Sequence, residues 1–330
     1  MRSDEWMVCA IRSQNDDTPQ VVNSCGECRV RWIAAATTAC SLVLLATAAH
    51  AAPPGPAKIV VNGIELHYIS AGAGEPVILL HGGQGDYRSW DPQMAALSRY
   101  YHVISYSRRY NFPNNNPQTA TNHSVLVEAE DLAAFMKALR LKRANLVGTS
   151  MGAATALTLA IRHPKLVRSL VLAEPPLLAL ARHFPDGDRL YDDFMRRIQD
   201  PASEAFAAGD DAAAMRFFVD GFASPGRFDK LPPEARLGVM QNAAFFRMMT
   251  HSINPYPEID RRALWSLRMP VLVITGEKTV EIHRRIDEEL TKMIPRARSA
   301  TIPSAGHGSP RENPAAFTEV VENFLETSGK

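Results

Sequence analysis

From Ala57 onward, short runs rich in Val, Ile and Leu alternate with longer stretches whose apolar residues recur at helical spacing. The later runs are almost continuously apolar, as strands buried on both faces of a sheet require. This alternation predicts an α/β fold, a mostly parallel eight-stranded sheet with helices on both faces. The two leading strands predict an antiparallel hairpin at one edge. The predicted strands are 58–61, 64–69, 76–80, 102–106, 144–147, 167–173, 270–275 and 297–302.

Residues 175–267 interrupt this rhythm, because they contain no strand pattern. They are predicted to form short helices separated by Pro and Gly, and they are rich in Phe and Met. Packing against the main core would account for many of these apolar side chains. Because the segment follows the sixth strand, we expect a helical lid over an apolar pocket. The predicted domains are 1–51 (extension and signal peptide), 52–174 with 268–330 (α/β core), and 175–267 (lid).

The N-terminal region has the order of features found in a secretory signal. Arg29 and Arg31 precede an apolar run over residues 33–49, and Ala49-His50-Ala51 forms a small-x-small cleavage site. The run is marginal in length and diluted by Ala and Thr, so a membrane anchor is the weaker interpretation. We expect cleavage near Ala51 and export, with no stable membrane insertion afterwards. All four cysteines precede this site: Cys9, Cys25, Cys28 and Cys40.

Charge and cysteine usage exclude several function classes. The formal net charge is +1, and no basic patch interleaves with aromatic residues, so no nucleic-acid partner is expected. Cys25 and Cys28 lack a second ligand pair at zinc-site spacing. We predict no metal and no cofactor, and a small hydrophobic molecule as the binding partner. The sequence does not determine the oligomeric state.

The segment Gly148–Gly152 carries the strongest chemical signal. Its G-x-S-x-G pattern follows an apolar strand and opens a helix, which is typical of a nucleophile elbow. Side chains at positions 148 and 152 are expected to collide with neighbouring backbone. Ser150 is the predicted nucleophile, and the N–H of Met151, at the helix N-terminus, is a predicted oxyanion donor.

Two further loops complete this pattern. His81-Gly82-Gly83 follows the third strand, and we assign the second oxyanion donor to the N–H of Gly83, with His81 in a structural role. His307 follows the last strand and is the predicted general base, because a neutral serine hydroxyl needs one to react. The histidines in helices or in the lid, His283 among them, are expected at the surface.

These three motifs, in this order, resemble the α/β-hydrolase superfamily over residues 57–325. The serine at position 150 distinguishes the chain from relatives that use an aspartate nucleophile, such as haloalkane dehalogenases and epoxide hydrolases. The resemblance implies the fold, a catalytic triad and hydrolysis. It does not imply a substrate.

The triad acid departs from the family pattern. Family members usually place it after the seventh strand in a Gly-x-x-Asp turn, and here that position is Thr279. Three candidates remain: Glu174 after the sixth strand, Glu277 and Glu281. Some superfamily members resemble the first arrangement, and we favour Glu174, which Pro175 is expected to hold in an extended conformation. A lid-hinge role for Glu174 is the alternative.

The predicted reaction is two-step acyl transfer on a small hydrophobic ester or lactone, typical of a carboxylesterase or lactonase. A C–C bond hydrolase and a cofactor-free perhydrolase are the alternative enzymes. A catalytically silent ligand-binding protein on this fold is the alternative of another class. The pocket is predicted to include Tyr87, Trp90, Arg108 and Phe112, although an ion pair within the protein is the favoured role for Arg108.

Overall fold

The computed structural model describes residues 55–328, which form an eight-stranded sheet with helices around it. The strand order is β1-β2-β4-β3-β5-β6-β7-β8. The pairs β1/β2 and β2/β4 are antiparallel and all others are parallel. The strands are β1 (Ala57–Val61), β2 (Ile64–Ala71), β3 (Pro76–Leu80), β4 (His102–Tyr106), β5 (Ala144–Thr149), β6 (Val167–Ala173), β7 (Val271–Gly276) and β8 (Arg298–Ile302). The predicted α/β fold with an antiparallel edge hairpin is confirmed.

Apolar residues on both faces of the central strands explain why helices cover both sides. In β3, Val77 and Leu79 pack into one core, whereas Ile78 and Leu80 pack into the other, as a side-chain period of two requires. The first core includes residues of α1 (Asp91–Leu97) and α13 (Pro314–Ser328). The second core includes residues of α2 (Val125–Ala138), α3 (Met151–Arg162) and α11 (Glu281–Met293).

Local capping sets where several of these helices begin. The Ser124 side chain accepts a hydrogen bond from the N–H of Leu126 at the start of α2. Asn313 accepts one from the N–H of Ala316, and Pro314 occupies the first position of α13. A 3-10 turn, Tyr87–Trp90, directly precedes α1, and Asp86 caps it.

A helical insertion, residues 175–267, separates β6 from β7. All of it is described by the structure, and it contains helices and loops but no strand. A π-helical turn, Met195–Gln199, joins the second and third of its helices. The helices are α4 (Leu178–Ala181), α5 (Gly187–Phe194), α6 (Asp200–Ala207), α7 (Asp211–Phe222), α8 (Pro233–Met240), α9 (Ala243–Thr250) and α10 (Arg261–Ser266).

The predicted signal peptide, its cleavage site and all four cysteines lie outside the described residues. Within residues 55–328, no helix combines the length and the apolar character needed to cross a lipid bilayer.

Candidate active site

The loop between β5 and α3 holds Ser150 in a strained turn. Its backbone has φ +51° and ψ −125°, a conformation that a non-glycine residue adopts only when its surroundings enforce it. The glycines on either side allow this turn to pack closely against neighbouring backbone. A Cβ on Gly148 would lie 2.6 Å from the backbone nitrogen of Ala153, and one on Gly152 would lie 2.2 Å from the carbonyl oxygen of Leu80. The predicted collisions at positions 148 and 152 are therefore confirmed.

A backbone hydrogen bond joins this turn to the end of β6. The N–H of Ser150 donates to the carbonyl oxygen of Ala173 at 2.7 Å, and the next residue is Glu174. Glu174 has φ +49°, so the expectation that Pro175 holds it extended is wrong. The hydrogen bonds that the Glu174 carboxyl group accepts hold this backbone conformation. They outweigh the preference of a residue before proline for an extended backbone.

The Glu174 carboxylate is buried and accepts three hydrogen bonds. Oε1 accepts from the N–H of Gly276 at 2.7 Å. Oε2 accepts from the hydroxyl of Thr279 at 2.6 Å and lies 2.7 Å from Nδ1 of His307. Burial alone would raise the pKa of Glu174, but the bond and charge of His307, aided by Thr279, lower it to about 2. Glu174 is therefore a carboxylate at neutral pH.

The other candidate acids bind elsewhere. Glu277 accepts a hydrogen bond from the N–H of Ser304 at 2.7 Å, and Glu281 is exposed beside Arg189. Glu277 thus holds the loop that carries His307 rather than its ring. From the other side, Glu312 accepts from the N–H of Gly306 in the same loop at 2.6 Å.

Ser150 and His307 line one cavity of about 350 Å³. Its wall combines the ends of the core strands with helices of the insertion, and most side chains are apolar. From the insertion come Val219, Phe222, Leu231, Val239, Phe245, Phe246 and Met249. Exposed Arg227, Arg311 and Glu312 also line it and bring charge to an otherwise apolar wall.

The two predicted oxyanion donors also line this cavity. Met151 is the first residue of α3, so its N–H is one of the helix amides without an intrahelical acceptor. Gly83 leaves no room for a side chain, since a Cβ there would lie 2.6 Å from Phe246 and 2.8 Å from Phe245. Its neighbour Gly82 passes close to Ser150. A Cβ on Gly82 would lie 3.2 Å from the Cβ of Ser150.

A family model described as the alpha/beta hydrolase fold matches residues 75–314 of the chain. The chain belongs to the α/β-hydrolase-fold family. With the related hydrolases below, this membership identifies it as a hydrolase.

The three relatives described next are distant, at 21–30% identity. A putative 2-succinyl-6-hydroxy-2,4-cyclohexadiene-1-carboxylate synthase from Bacillus subtilis (strain 168) is 30% identical over 77% of this chain and 91% of its own length. A putative carbamate hydrolase from Caulobacter sp. (strain K31) is 28% identical over 80% of this chain and 96% of its own. The match to bifunctional epoxide hydrolase 2 of Sus scrofa, at 21% identity, spans 82% of this chain and 55% of that protein.

Among solved structures, Est816, described as an N-acyl homoserine lactone degrading enzyme, is 25% identical. The match has a TM-score of 0.65 and covers 81% of this chain and all of that one.

Of the four residues predicted to line the pocket of this α/β hydrolase, the cavity wall includes only Trp90. The prediction is wrong for Tyr87 and Phe112, which stabilise the neighbouring loops, whereas Arg108 forms an ion pair within the protein, the role favoured for it. Tyr87 bonds through its backbone to Ser105 and Ser107. The ring of Phe112 lies under the Arg88 guanidinium.

Arg108 lies one layer behind the cavity wall, where it is buried and paired with Glu128. Its guanidinium stacks on the ring of Phe245, which does line the cavity, at 4.5 Å. The backbone N–H of Arg108 donates to Nε2 of His81. Nδ1 of His81 therefore carries the proton and donates to the carbonyl oxygen of Gly82. Burial, with the charge of Arg108, lowers the pKa of His81 to about 3, so it stays neutral.

His283 was expected at the surface and is fully buried, so that expectation is wrong. It lies on α11, where the buried positions 283, 286, 287 and 290 repeat at helical spacing. This spacing in the sequence could have placed His283 on the inner face. Among residues 55–328, no group of three or more His, Cys, Asp and Glu side chains is arranged to hold a metal ion.

Proposed function

We propose that this α/β hydrolase cleaves small hydrophobic esters or lactones by two-step acyl transfer. Ser150 is the nucleophile, His307 the general base and Glu174 the acid of the triad. The observation that carries the proposal is the 2.7 Å contact between Glu174 and Nδ1 of His307, beside a cavity that Ser150 also lines. A buried carboxylate at Nδ1 keeps the proton on that nitrogen and leaves Nε2 free to accept the serine proton.

In the first step, Oγ of Ser150 attacks the carbonyl carbon while its proton passes to Nε2 of His307. The oxyanion that forms binds the N–H groups of Gly83 and Met151. The imidazolium then gives its proton to the departing alkoxide, and an acyl-enzyme remains. In the second step, His307 takes a proton from water and the resulting hydroxide attacks the acyl group. The imidazolium then returns its proton to Oγ of Ser150 as the acid product leaves, which restores both groups.

The Glu174 carboxylate stabilises the imidazolium through both steps. Thr279 occupies the position at which family members usually carry the acid. Its hydroxyl donates a hydrogen bond to the Glu174 carboxylate, which takes the place of that acid. This bond and the N–H of Gly276 hold the carboxylate in its charged form. The acid can therefore originate from β6 while the loop after β7 retains a supporting role.

The apolar wall of the cavity supports a hydrophobic acyl or alcohol group in the substrate. A volume of about 350 Å³ lies at the lower end of the range for small-molecule sites. The activity named for Est816 supports lactones beside open-chain esters. We also propose that the insertion acts as a lid, since its Phe245 and Phe246 lie directly against the Gly83 loop.

The test is hydrolysis of p-nitrophenyl butyrate by the purified protein, beside labelling of Ser150 with a fluorophosphonate probe. We expect turnover and labelling in the wild type and neither in Ser150→Ala. Labelling without ester turnover would favour a C–C bond hydrolase or a perhydrolase. Absence of both would favour a ligand-binding protein and contradict the proposal. Ser89→Ala, which changes another hydroxyl in the cavity wall, is the matched control and should retain turnover.

A further inference from the structure

The ring of His283 lies parallel to the ring of His307. Their centroids are 4.3 Å apart and their planes differ by 14°. Phe222, from α7 of the insertion, contacts both rings. Its centroid lies 5.0 Å from that of His307 and 5.8 Å from that of His283. His283 is absent from the cavity wall, so it lies behind His307 as seen from the substrate side.

Stability does not explain an imidazole at this position. Neither ring nitrogen of His283 has a hydrogen-bond partner among the described residues, and the side chain is fully buried. Burying polar atoms without partners destabilises the folded state, and an aliphatic side chain of similar size would avoid that cost but would not supply a flat ring. Asp287, one turn further along α11, binds the hydroxyl of Thr275 instead.

The proposed base needs a fixed ring plane. The bond from Nδ1 of His307 to Glu174 holds one edge of the imidazole, but small combined changes in χ1 and χ2 can still tilt the ring while that bond is kept. Such a tilt would displace Nε2 relative to Ser150, and small displacements of reacting groups cost large factors in rate. A flat, immobile ring stacked on one face of His307 removes this freedom.

The charge of His283 is compatible with this position. Burial, and the neighbouring His307, lower the pKa of His283 to about 3, so its ring is neutral at physiological pH. A neutral ring tolerates the positive charge that His307 gains during the reaction, whereas two stacked imidazolium ions would repel each other.

We propose that His283 is a positioning residue, which holds the ring plane of His307 by parallel stacking so that Nε2 faces Ser150. This inference rests on the proposed function. His283 lies on α11, outside the three sequence motifs, so the inference gives this helix a part in catalysis. Because His283 does not touch the cavity, its role is confined to the rate of the chemical step.

The experiment compares His283→Phe, which keeps a flat ring and loses both nitrogens, with His283→Leu, which loses the ring. We expect kcat for p-nitrophenyl butyrate to fall by roughly 10- to 100-fold in His283→Leu with KM nearly unchanged, and to stay within about threefold of wild type in His283→Phe. The rate of fluorophosphonate labelling of Ser150 should fall in the same order. Ile286→Val, buried on the same helix, is the control and should keep the wild-type rate.

A melting temperature for each variant separates folding defects from catalytic ones. Should His283→Leu fail to fold, His283→Gln replaces it with the same expected loss. Equal losses in the Phe and ringless variants, a rise in KM in place of a fall in kcat, or wild-type rates in a ringless variant would each overturn the inference. If His283 variants match wild type while Ser150→Ala is inactive, the inference alone fails. If Ser150→Ala retains wild-type turnover and labelling, the proposed function fails with it.

Discussion

Replacing Glu174 with Gln is the sharpest perturbation of the site, because it removes a charge and keeps the shape. The carboxylate accepts from three donors: Gly276, Thr279 and His307. A glutamine has one acceptor oxygen and one NH₂ group, so it cannot accept all three bonds. If its NH₂ group faces His307, it favours the tautomer with the proton on Nε2, which cannot accept the serine proton.

The structure sets the scale of the expected loss. The pKa of Glu174 is lowered from 4.5 to about 2, mainly by His307 against the effect of burial. That difference corresponds to about 3 kcal/mol of preference for the charged form, or roughly a 100-fold change in rate if the transition state loses all of it. The wrong tautomer adds to this loss, so we expect kcat to fall by about 10²- to 10⁴-fold.

The assay is p-nitrophenyl butyrate hydrolysis at neutral pH, with the melting temperature of each variant measured alongside. Glu277→Gln is the matched control, because it makes the same chemical change in a carboxylate that binds only the backbone of Ser304. It should stay within about tenfold of the wild-type rate. A collapse in Glu277→Gln with Glu174→Gln near wild type would refute the assignment of the acid.

Two further predictions follow from the contacts of Glu174, and a third concerns the N-terminal region. Because the pKa of Glu174 is lower when folded, its stabilising contribution is complete above about pH 4.5 and is lost as the pH falls toward 2. Thr279→Val should therefore lower the free energy of unfolding by about 1.5–3 kcal/mol at pH 7, and the gap to wild type should narrow in denaturant titrations at lower pH. A difference in unfolding free energy that does not change with pH would argue against the stabilising bond from Thr279 to Glu174. Adding Thr279→Asp to inactive Glu174→Ala should restore kcat by roughly tenfold or more, as a carboxylate at position 279 replaces the lost one. No recovery in a folded double variant would contradict this geometry. N-terminal sequencing of exported protein should begin at Ala52, whereas an intact N-terminus would contradict the predicted cleavage.

The sheet was predictable because its signals are local. Each buried strand is a short run in which most residues are apolar, and the predicted strands 76–80, 102–106 and 167–173 have the observed bounds. Ser150 and His307 could likewise be singled out, because their motifs lie directly beside strand ends. The sequence also reduced the acid to three candidates.

What the sequence could not supply was the direction of individual side chains in the loops. Tyr87 and Phe112 were predicted in the pocket, yet they contact neighbouring loop residues instead. For Arg108 an ion pair was the favoured role, but the sequence did not identify Glu128 as its partner. The conformation of Glu174 was missed for a similar reason. Its positive φ is imposed by partners about 100 to 133 residues away, which no local rule about proline includes.

The hydrogen bond from Ser150 to Ala173 has a consequence for how the site loses activity on heating. The proposed nucleophile and acid follow the ends of two paired strands, since Ser150 donates this bond itself and Glu174 comes directly after its acceptor, Ala173. Their separation therefore depends on strand pairing, which is among the last structure to open in a folded domain. His307 instead lies on a loop held by Glu277 and Glu312. Warming should release that loop first, so inactivation would begin as reversible loss of the base, with the other two groups still in place.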